Sequence, residues 1–154
     1  VCWGDNDLTQ CDVPPGLGPV SAIAAGETHT VALLEDGTVR CWGNPFDGQC
    51  DVHKGLAPAI AIAAGALHTV AVLADGTVVA WGNNGSGQTD VPDDLSDVVG
   101  VAAGFDHTVA VKADGQVVCW GFDGFGQSTP PEGLGPARAV AAGLSHTFAW
   151  LAVV

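Results

Sequence analysis

The feature that most constrains the fold of this chain is a repeat with a period of 39 residues. Trp-Gly, Ala-Ala-Gly, His-Thr and a single Gln each recur four times in this register, with no insertion or deletion. Three full units cover residues 24–62, 63–101 and 102–140, and partial units 1–23 and 141–154 flank them. A fixed period of about 20 to 50 residues is typical of solenoids, propellers and arrays.

Each unit carries the pattern of a small antiparallel sheet. Residues 68–73 alternate and are rich in β-branched side chains, Asp75-Gly76 supplies a turn, and residues 77–82 form a second run that contains Trp81. Two such runs joined by Asp-Gly predict a hairpin. We expect a third strand at residues 60–64 and a fourth, shorter one at 88–91. Radial repetition of four-stranded sheets predicts an all-β fold, the β-propeller, with four-stranded antiparallel blades.

The two partial units are complementary, since together they supply 37 of the 39 positions of one repeat. The missing positions adjoin the hairpin turn, which Ala152-Val153-Val154 replaces. We therefore predict one propeller domain over residues 1–154, with four repeats and one blade split between the N- and C-termini. In that blade residues 146–151 pair with residues 1–4. Pairing between chains is the alternative, giving an eight-bladed ring or an open filament.

The charge composition excludes several classes of partner. The chain has 4 Lys and Arg against 17 Asp and Glu, a net charge of −13. Four scattered cations cannot neutralise a phosphate backbone or dock on an anionic membrane, so we expect no nucleic-acid binding. The longest apolar stretch, residues 59–74, is too interrupted and short for the roughly 18 apolar residues of a membrane helix, so no membrane insertion is expected. No signal peptide is visible, and the absence of Met favours a segment of a longer chain.

The unit Ala-Ala-Gly-x-x-His-Thr-Val-Ala-Val-x-x-Asp-Gly-x-Val-x-x-Trp-Gly-x-x-x-x-Gly-Gln resembles the regulator of chromosome condensation repeat in its compact bacterial form. Residues 81–92, Trp-Gly-Asn-Asn-Gly-Ser-Gly-Gln-Thr-Asp-Val-Pro, are also similar in spacing to a secreted bacterial β-lactamase inhibitor built from such repeats. The resemblance covers the whole chain and implies a propeller. Members of the family usually close at seven blades, which this chain does not reach. The family's nuclear exchange factor acts on a small GTPase and nucleosomes, which calls for a full ring and basic elements that are missing here.

The residues repeated in every unit are expected to be structural. A histidine needed once per blade is interpreted as holding that blade's own turn by hydrogen bonds, although a ring of imidazoles could also hold a metal ion. The tryptophans are expected to pack between blades, each with its indole N–H on one partner. These structural positions are His29, His68, His107, His146, Trp3, Trp42, Trp81 and Trp120.

The cysteines predict an oxidising compartment. Cys2 and Cys11 are nine residues apart, Cys41 and Cys50 repeat this spacing one unit later, and in the third unit both positions change together. This co-occurrence predicts two disulfides, Cys2–Cys11 and Cys41–Cys50, and hence an extracellular or periplasmic location. Cys119 lacks a partner and is interpreted as a buried thiol or an intermolecular bridge.

No enzyme motif or cofactor-binding motif stands out. The chain has no Gly-x-Ser-x-Gly elbow, phosphate-binding loop or His-Glu-x-x-His helix, so we predict a non-enzymatic protein without cofactor or metal. Carboxylates cluster at Asp5-Asn6-Asp7 and between Asp90 and Asp97, without calcium-loop spacing. A calcium-dependent binding module remains an alternative.

The positions that vary between units are the predicted binding surface, because rigid scaffolds place recognition on loops and aromatic anchors dominate interface energies. One set precedes the histidine, and the other lies between Trp-Gly and Gly-Gln. We predict a secreted protein-binding or inhibitor-like scaffold with a basic or neutral protein partner, and as an alternative a self-assembling homo-oligomer joined through its terminal strands. The candidate binding residues are Glu27, Phe46, Leu67, Phe105, Asp106, Phe122, Phe125 and Leu144.

Overall fold

The computed structural model describes residues 1–152, which form eleven β-strands. The strands are β1 Val20–Ala25, β2 His29–Leu34, β3 Val39–Gly43, β4 Ala59–Ala64, β5 His68–Leu73, β6 Val78–Gly82, β7 Val98–Ala103, β8 His107–Lys112, β9 Val117–Gly121, β10 Ala137–Ala142 and β11 Thr147–Leu151. The all-β prediction is confirmed for these residues. No helix long and apolar enough to cross a membrane occurs among them.

The strands form three antiparallel sheets of three strands and one of two. We call β1-β2-β3 blade 1, β4-β5-β6 blade 2, β7-β8-β9 blade 3 and β10-β11 the last sheet. The 39-residue repeat is reproduced in the pairing register, since His29 faces Gly43, His68 faces Gly82 and His107 faces Gly121. The Asp-Gly turns close the hairpins as predicted, with Gly76 at a φ of 82° that favours glycine.

The expectation of a fourth strand in each blade is wrong, because residues 88 and 89 lie in a turn and residues 90 and 91 in no strand. The backbone N–H of Thr89 donates to Asn84 Oδ1 at 3.0 Å, and that of Asp90 donates to Gly87 O at 3.1 Å. The carbonyl of Gln88 accepts hydrogen bonds from two side chains of blade 3. The hydrogen bonds of Thr89 and Asp90 bend the segment, and the Gln88 carbonyl is already occupied. Residues 88–91 therefore do not pair with the edge of the sheet.

The first strand of each blade contains a β-bulge. Ala59 faces Leu73 and Ala61 faces Val72, so Ile60 is the additional residue, and its side chain is exposed. Ser21, Val99 and Arg138 occupy the same position in the other sheets.

The apolar core lies between neighbouring blades. Val31 and Leu33 of blade 1 pack with Ala71 and Trp81 of blade 2, and the next interface repeats this with Val70, Val72, Ala110 and Trp120. Blades 2 and 3 therefore each bury one face against the sheet before them and the other against the sheet after them.

The predicted pairing of residues 146–151 with residues 1–4 does not form within the described part of the chain. Here β11 pairs with β10, residues 1–4 are not in a strand, and Trp3 is 84% exposed. Each sheet stacks on the sheet next in sequence, so blade 1 and the last sheet stay at opposite ends of the stack. The predicted loss of the hairpin turn at 152–154 lies mostly outside the described residues.

Candidate protein-interaction surface

The two variable sets predicted from the sequence lie at the same end of the sheets. Because the strands are antiparallel, the turn from β1 to β2 and the loop after β3 meet there. The backbone N–H of Asn44 donates to Thr28 O at 2.8 Å, and Phe122 N–H donates to Asp106 O at 2.8 Å. We call this end the loop face, formed by residues 26–28, 44–48, 65–67, 83–87, 104–106, 122–126 and 143–145.

Buried glutamines hold the longer loops of this face in place. The side-chain oxygen of Gln49 accepts a hydrogen bond from Asp47 N–H at 3.0 Å, and that of Gln127 accepts one from Phe125 N–H at 2.9 Å. Both glutamines are buried. The loops are therefore held in place by glutamines of the repeated part of the sequence, while Phe46 and Phe125 on these loops are exposed.

The repeated histidine joins neighbouring blades, which corrects the expectation that it holds its own turn. His29 Nε2 lies 3.0 Å from Thr69 Oγ1, and Thr69 donates its hydroxyl hydrogen to Gln49 O at 2.8 Å. The Thr69 oxygen therefore accepts from His29 Nε2–H, which fixes the imidazole tautomer. Trp81 Nε1–H donates to the same carbonyl at 2.9 Å, so histidine, threonine, glutamine and tryptophan form one bonded unit across the interface.

Burial keeps these imidazoles neutral. It lowers the pKa of His29 and of His68 to about 4 and also lowers that of His107. Among residues 1–152, no three His, Cys, Asp or Glu side chains converge on a metal-ion position. His29, His68 and His107 therefore each contribute a hydrogen bond between neighbouring sheets.

The acidic pairs considered for calcium bond within their own loops. Asp5 accepts from the Gln10 side-chain amide at 3.0 Å, and Asp90 accepts from the Asn84 amide at 2.7 Å. These bonds shape the turns, and no observation favours the calcium-dependent alternative.

The turns between the first two strands of each sheet form a backbone ladder around the inner edge of the stack. Glu27 N–H donates to Ala66 O at 3.3 Å, Ala66 N–H to Phe105 O at 3.2 Å, and Phe105 N–H to Leu144 O at 3.1 Å. These turns line an open hollow of about 340 Å³ on the inner side of the loop face, which we call the axial hollow.

Most of the predicted binding residues are exposed on the loop face. Phe46 is 82% exposed and Phe125 is 77% exposed. The Phe125 ring packs edge to face against the Phe122 ring, with 6.0 Å between the ring centroids. Leu144 and Phe105 border the axial hollow and are also exposed, as is Glu27.

Leu67 and Asp106 differ from the other candidates because they are half-buried. Asp106 Oδ1 accepts a hydrogen bond from the Gln88 amide at 3.0 Å, which links the loop of blade 2 to the turn of blade 3. The Asp106 side chain therefore helps to hold neighbouring loops together as well as lying on the loop face.

The cations are confined to one end of the sheets, whereas carboxylates occur at both ends, as Asp36, Asp75 and Asp114 in the hairpin turns show. The carboxylates of Glu27, Asp47, Asp106 and Asp123 lie on the loop face. The pKa of Asp123 is lowered by hydrogen bonds from the Thr129 hydroxyl and the Ser128 N–H, which keeps it ionised. The four cations of the chain lie toward the opposite end, at strand starts, a strand end and the loop before β4: Arg40, Lys54, Lys112 and Arg138.

The absence of cations from the loop face was not recognised from the sequence. A signal for it was present, since the repeat register assigns each cation to a position near the Asp-Gly turn or the linker and none to the variable sets.

The cysteine positions agree in part with the prediction. Cys41 and Cys50 form a disulfide. Cys2 and Cys11 are separate thiols whose sulfurs lie 2.9 Å apart, so their predicted disulfide stays a prediction. Cys119 is a half-buried free thiol, and burial raises its pKa to about 11.

Stacked antiparallel blades with one inter-blade bonding scheme place the protein among β-propeller repeat proteins. The sequence profile of the regulator of chromosome condensation (RCC1) repeat matches residues 20–49, 59–88 and 98–127, more than half of the chain. The chain belongs to this repeat family. A comparison with curated protein sequences gives no match.

Solved structures show the same fold. The CRINKLY ectodomain of the Arabidopsis thaliana receptor kinase ACR4 is 27% identical over 87% of this chain and 46% of its own, with a TM-score of 0.68. The ectodomain of the Physcomitrella patens receptor kinase CR4 is 28% identical over 93% of this chain and 41% of its own, with a TM-score of 0.75. Prp20p of Saccharomyces cerevisiae is 22% identical over 94% of this chain and 49% of its own, with a TM-score of 0.74. The chain thus spans less than half the length of these proteins.

Proposed function

We propose that this protein is a non-enzymatic, secreted binding scaffold whose loop face binds a protein partner. The observation that carries the proposal is the convergence of both variable loop sets on one end of a constant framework, with exposed Phe46, Phe122 and Phe125 among them. Exposed aromatic side chains on rigid loops are typical anchors of protein interfaces.

The arrangement supports different binding roles for the residues at the axial hollow and those on the longer loops. Phe105 and Leu144 border the axial hollow, which is large enough to admit an apolar side chain of the partner. Phe46 and Phe125 stand further out on the longer loops. A contact that covers both regions would bury aromatic area at the centre of the interface and leave the carboxylates at its rim.

The charge of the loop face supports a basic or neutral partner. Its carboxylates have no cation beside them at that end, so their field attracts a basic surface and repels an acidic one. Such steering mainly raises the association rate and weakens with added salt.

The disulfide and the comparisons support an extracellular or periplasmic location. The Cys41–Cys50 bond is of a kind that persists in oxidising compartments. Two of the similar structures are receptor ectodomains. The Prp20p structure is described together with its binding to Gsp1p and histones, which is a case of protein binding on this fold.

The general proposal is tested by comparing matched variants in affinity capture from the secreted protein fraction of the source organism. The loop-face variant carries Phe46→Ser and Phe125→Ser, and the control carries Ile60→Ser, which is also exposed but lies in the β-bulge near the opposite end. A partner retained by wild type and control but lost with the loop-face variant, then confirmed by titration of the two purified proteins, is the expected result. Equal binding to all three chains would contradict the proposal.

The inhibitor-like role is tested with a purified class A β-lactamase as the probe. We expect inhibition of hydrolysis of a chromogenic cephalosporin by wild type and by Ile60→Ser, and at least tenfold weaker inhibition by the loop-face variant, since each anchor is worth about 1–2 kcal/mol or more. Absence of both binding and inhibition would overturn the inhibitor-like role and leave the general proposal to the capture experiment.

A further inference from the structure

Beyond partner binding, we propose that two copies of this chain close head to tail, the last sheet of each seated on blade 1 of the other. The new contact would be the inter-blade interface that occurs three times within the chain. Both ends carry unfilled halves of that interface, and four features of these ends support the proposal.

The first feature is an interrupted hydrogen-bond unit. His29, His68 and His107 each bond to the threonine of the next sheet at 3.0 Å. His146 is the next histidine in the series and is exposed, with no threonine beyond it in residues 1–152. Thr30 donates to Gln10 O at 2.8 Å, as the other threonines do to their glutamines, yet no histidine precedes it. A head-to-tail contact brings His146 of one copy to Thr30 of the other.

The second feature is the backbone ladder of the loop face. Its bonds run from each N–H to the carbonyl of the next turn and end at Leu144. In the described residues, Leu144 N–H and Glu27 O take no part in the ladder. In the proposed contact, Leu144 N–H of one copy donates to Glu27 O of the other, which continues the ladder in the same direction.

The third feature is an apolar groove on the side of blade 1 that has no neighbouring blade, which we call the first face. The groove has a volume of about 520 Å³. Ile23 is 77% exposed there, whereas Ile62, its counterpart in blade 2, is packed against blade 1. The lining includes Val13, Leu17, Val20, Ile23, Thr30 and Trp42.

The fourth feature is a pair of large aromatics on the free side of the last sheet, which we call the last face. Phe148 and Trp150 are 61% and 60% exposed. Their counterparts in blade 2, Val70 and Val72, are wholly buried against blade 3. The last face therefore carries larger apolar side chains than the internal interfaces do, and the groove of the first face offers the space for them.

The N-terminal residues extend the same contact. In blade 2, Thr69 faces Trp81, so the repeat register places Trp3 opposite Thr147. Residues 1–4 of the second copy would thereby add a third strand to the last sheet along the unpaired edge of β11, which satisfies backbone groups that an edge strand leaves open.

A heterologous contact of this kind closes into a ring when the rotation per copy allows it and otherwise forms a filament.

The proposal is tested by the solution mass of the 154-residue chain in light scattering across a dilution series. The expected mass is twice the 15.4 kDa of one chain. A chain that remains at 15.4 kDa at every concentration would overturn the proposal and would leave both faces to further repeats of a longer protein. Open-ended polymers would overturn the closed pair.

Head-to-tail geometry is tested by mixing two variants. Ile23→Lys places a charge on the first face and Trp150→Lys on the last face, and both side chains are exposed in the single chain, so each variant should fold. Each alone is expected to be a monomer. Their mixture retains one intact first face and one intact last face, so it should recover a mass of two chains. A mixture that stays monomeric would contradict the contact.

The matched control is Phe46→Lys, which places the same charge on an exposed aromatic of the loop face. It should leave the dimer intact while weakening the partner binding proposed above. A loss of mass with this control as well would show that added charge alone dissociates the chain and would overturn the assignment. The head-to-tail dimer and the binding of a partner by the loop face can therefore be refuted independently of each other.

Discussion

His68 Nε2 lies 3.0 Å from the hydroxyl oxygen of Thr108, a residue of the next blade and forty positions further along the chain. Thr108 donates its hydroxyl hydrogen to Gln88 O at 2.7 Å, and Trp120 Nε1–H donates to the same oxygen at 3.0 Å. His68, Gln88 and Thr108 are almost completely buried. The inter-blade interface is therefore specified by a chain of buried hydrogen bonds as well as by apolar packing.

Thr108→Val removes the hydroxyl at nearly constant shape. His68 Nε2–H then loses its acceptor inside the protein, and Gln88 O loses one of its two donors. An unsatisfied buried donor costs about 1–3 kcal/mol, so the free energy of unfolding from urea denaturation should fall by about that amount.

The control for this substitution is Thr30→Val, at the same repeat position in blade 1. Thr30 donates to Gln10 O, but no histidine of its own chain faces it. On a Trp150→Lys background, which is expected to be monomeric, the loss should be smaller than at Thr108. Equal losses at both positions would show that the histidine contact does not contribute.

Acid should destabilise the protein in a defined window of pH. Burial lowers the pKa of His29 and His68 to about 4, against about 6.5 in an unfolded chain. Between these values the unfolded chain binds protons that the folded chain does not, so the free energy of unfolding is highest above pH 6.5 and decreases as the pH falls toward 4. Urea denaturation at about pH 7.5, 5.5 and 4.5 measures this loss.

Two comparisons make the pH prediction specific. The carboxylates of Asp36 and Asp75 have pKa values lowered mainly by hydrogen bonds from Thr38 and Thr77, so their stabilisation is lost only below their usual range near pH 4. His68→Gln, which keeps an N–H donor, should reduce the loss between pH 7.5 and 4.5. A wild-type stability that is constant across this range would contradict the neutral buried histidines.

The parts of the fold that the sequence predicts are those governed by local pattern. The alternation in residues 68–73 and the Asp75-Gly76 turn act within a few residues, and both hairpins of every blade form in the expected place. The predicted fourth strand at 88–91 does not form, because the carbonyl of Gln88 accepts hydrogen bonds from the side chains of Thr108 and Trp120, 20 and 32 residues away. A contact at that distance leaves no signal in the local alternation.

For the candidate surface too, the sequence predicted what depends on local pattern and missed what depends on contacts distant in the chain. Variation between units singled out Phe46, Phe105 and Phe125, because variation is visible in an ungapped repeat. Their common end of the molecule, and the absence of Arg40 and Lys112 from it, follow only once the antiparallel register is known. The partial burial of Asp106 likewise depends on its bond to Gln88, which belongs to the preceding unit.

Thiol counting tests the two predicted disulfides. The chain has 5 cysteines, so reduced and unfolded protein should show five reactive thiols. Unreduced protein with the Cys41–Cys50 bond alone should show three, and oxidation of the Cys2–Cys11 pair, whose sulfurs lie 2.9 Å apart, should leave only Cys119. We expect one thiol after mild oxidation. Five thiols in unreduced protein would refute both bonds, and three after oxidation would refute the second.

Gly65→Ala should destabilise blade 2 and disturb the loop face together. A Cβ at Gly65 would overlap the His68 ring and lie 2.6 Å from Gly104 O, so the imidazole or the backbone of blade 3 must shift. Overpacking of this kind costs about 1–3 kcal/mol. Gly135→Ala is the matched control, because a Cβ there meets nothing within 4 Å, and a slight gain is expected from the stiffer unfolded chain. Since Gly65 directly precedes Ala66 in the backbone ladder, the variant should also weaken partner binding through Phe105 and Leu144, measured by titration at a temperature where it remains folded. Wild-type stability for Gly65→Ala would show that the histidine has room to move, which would contradict the tight turn that supports this face.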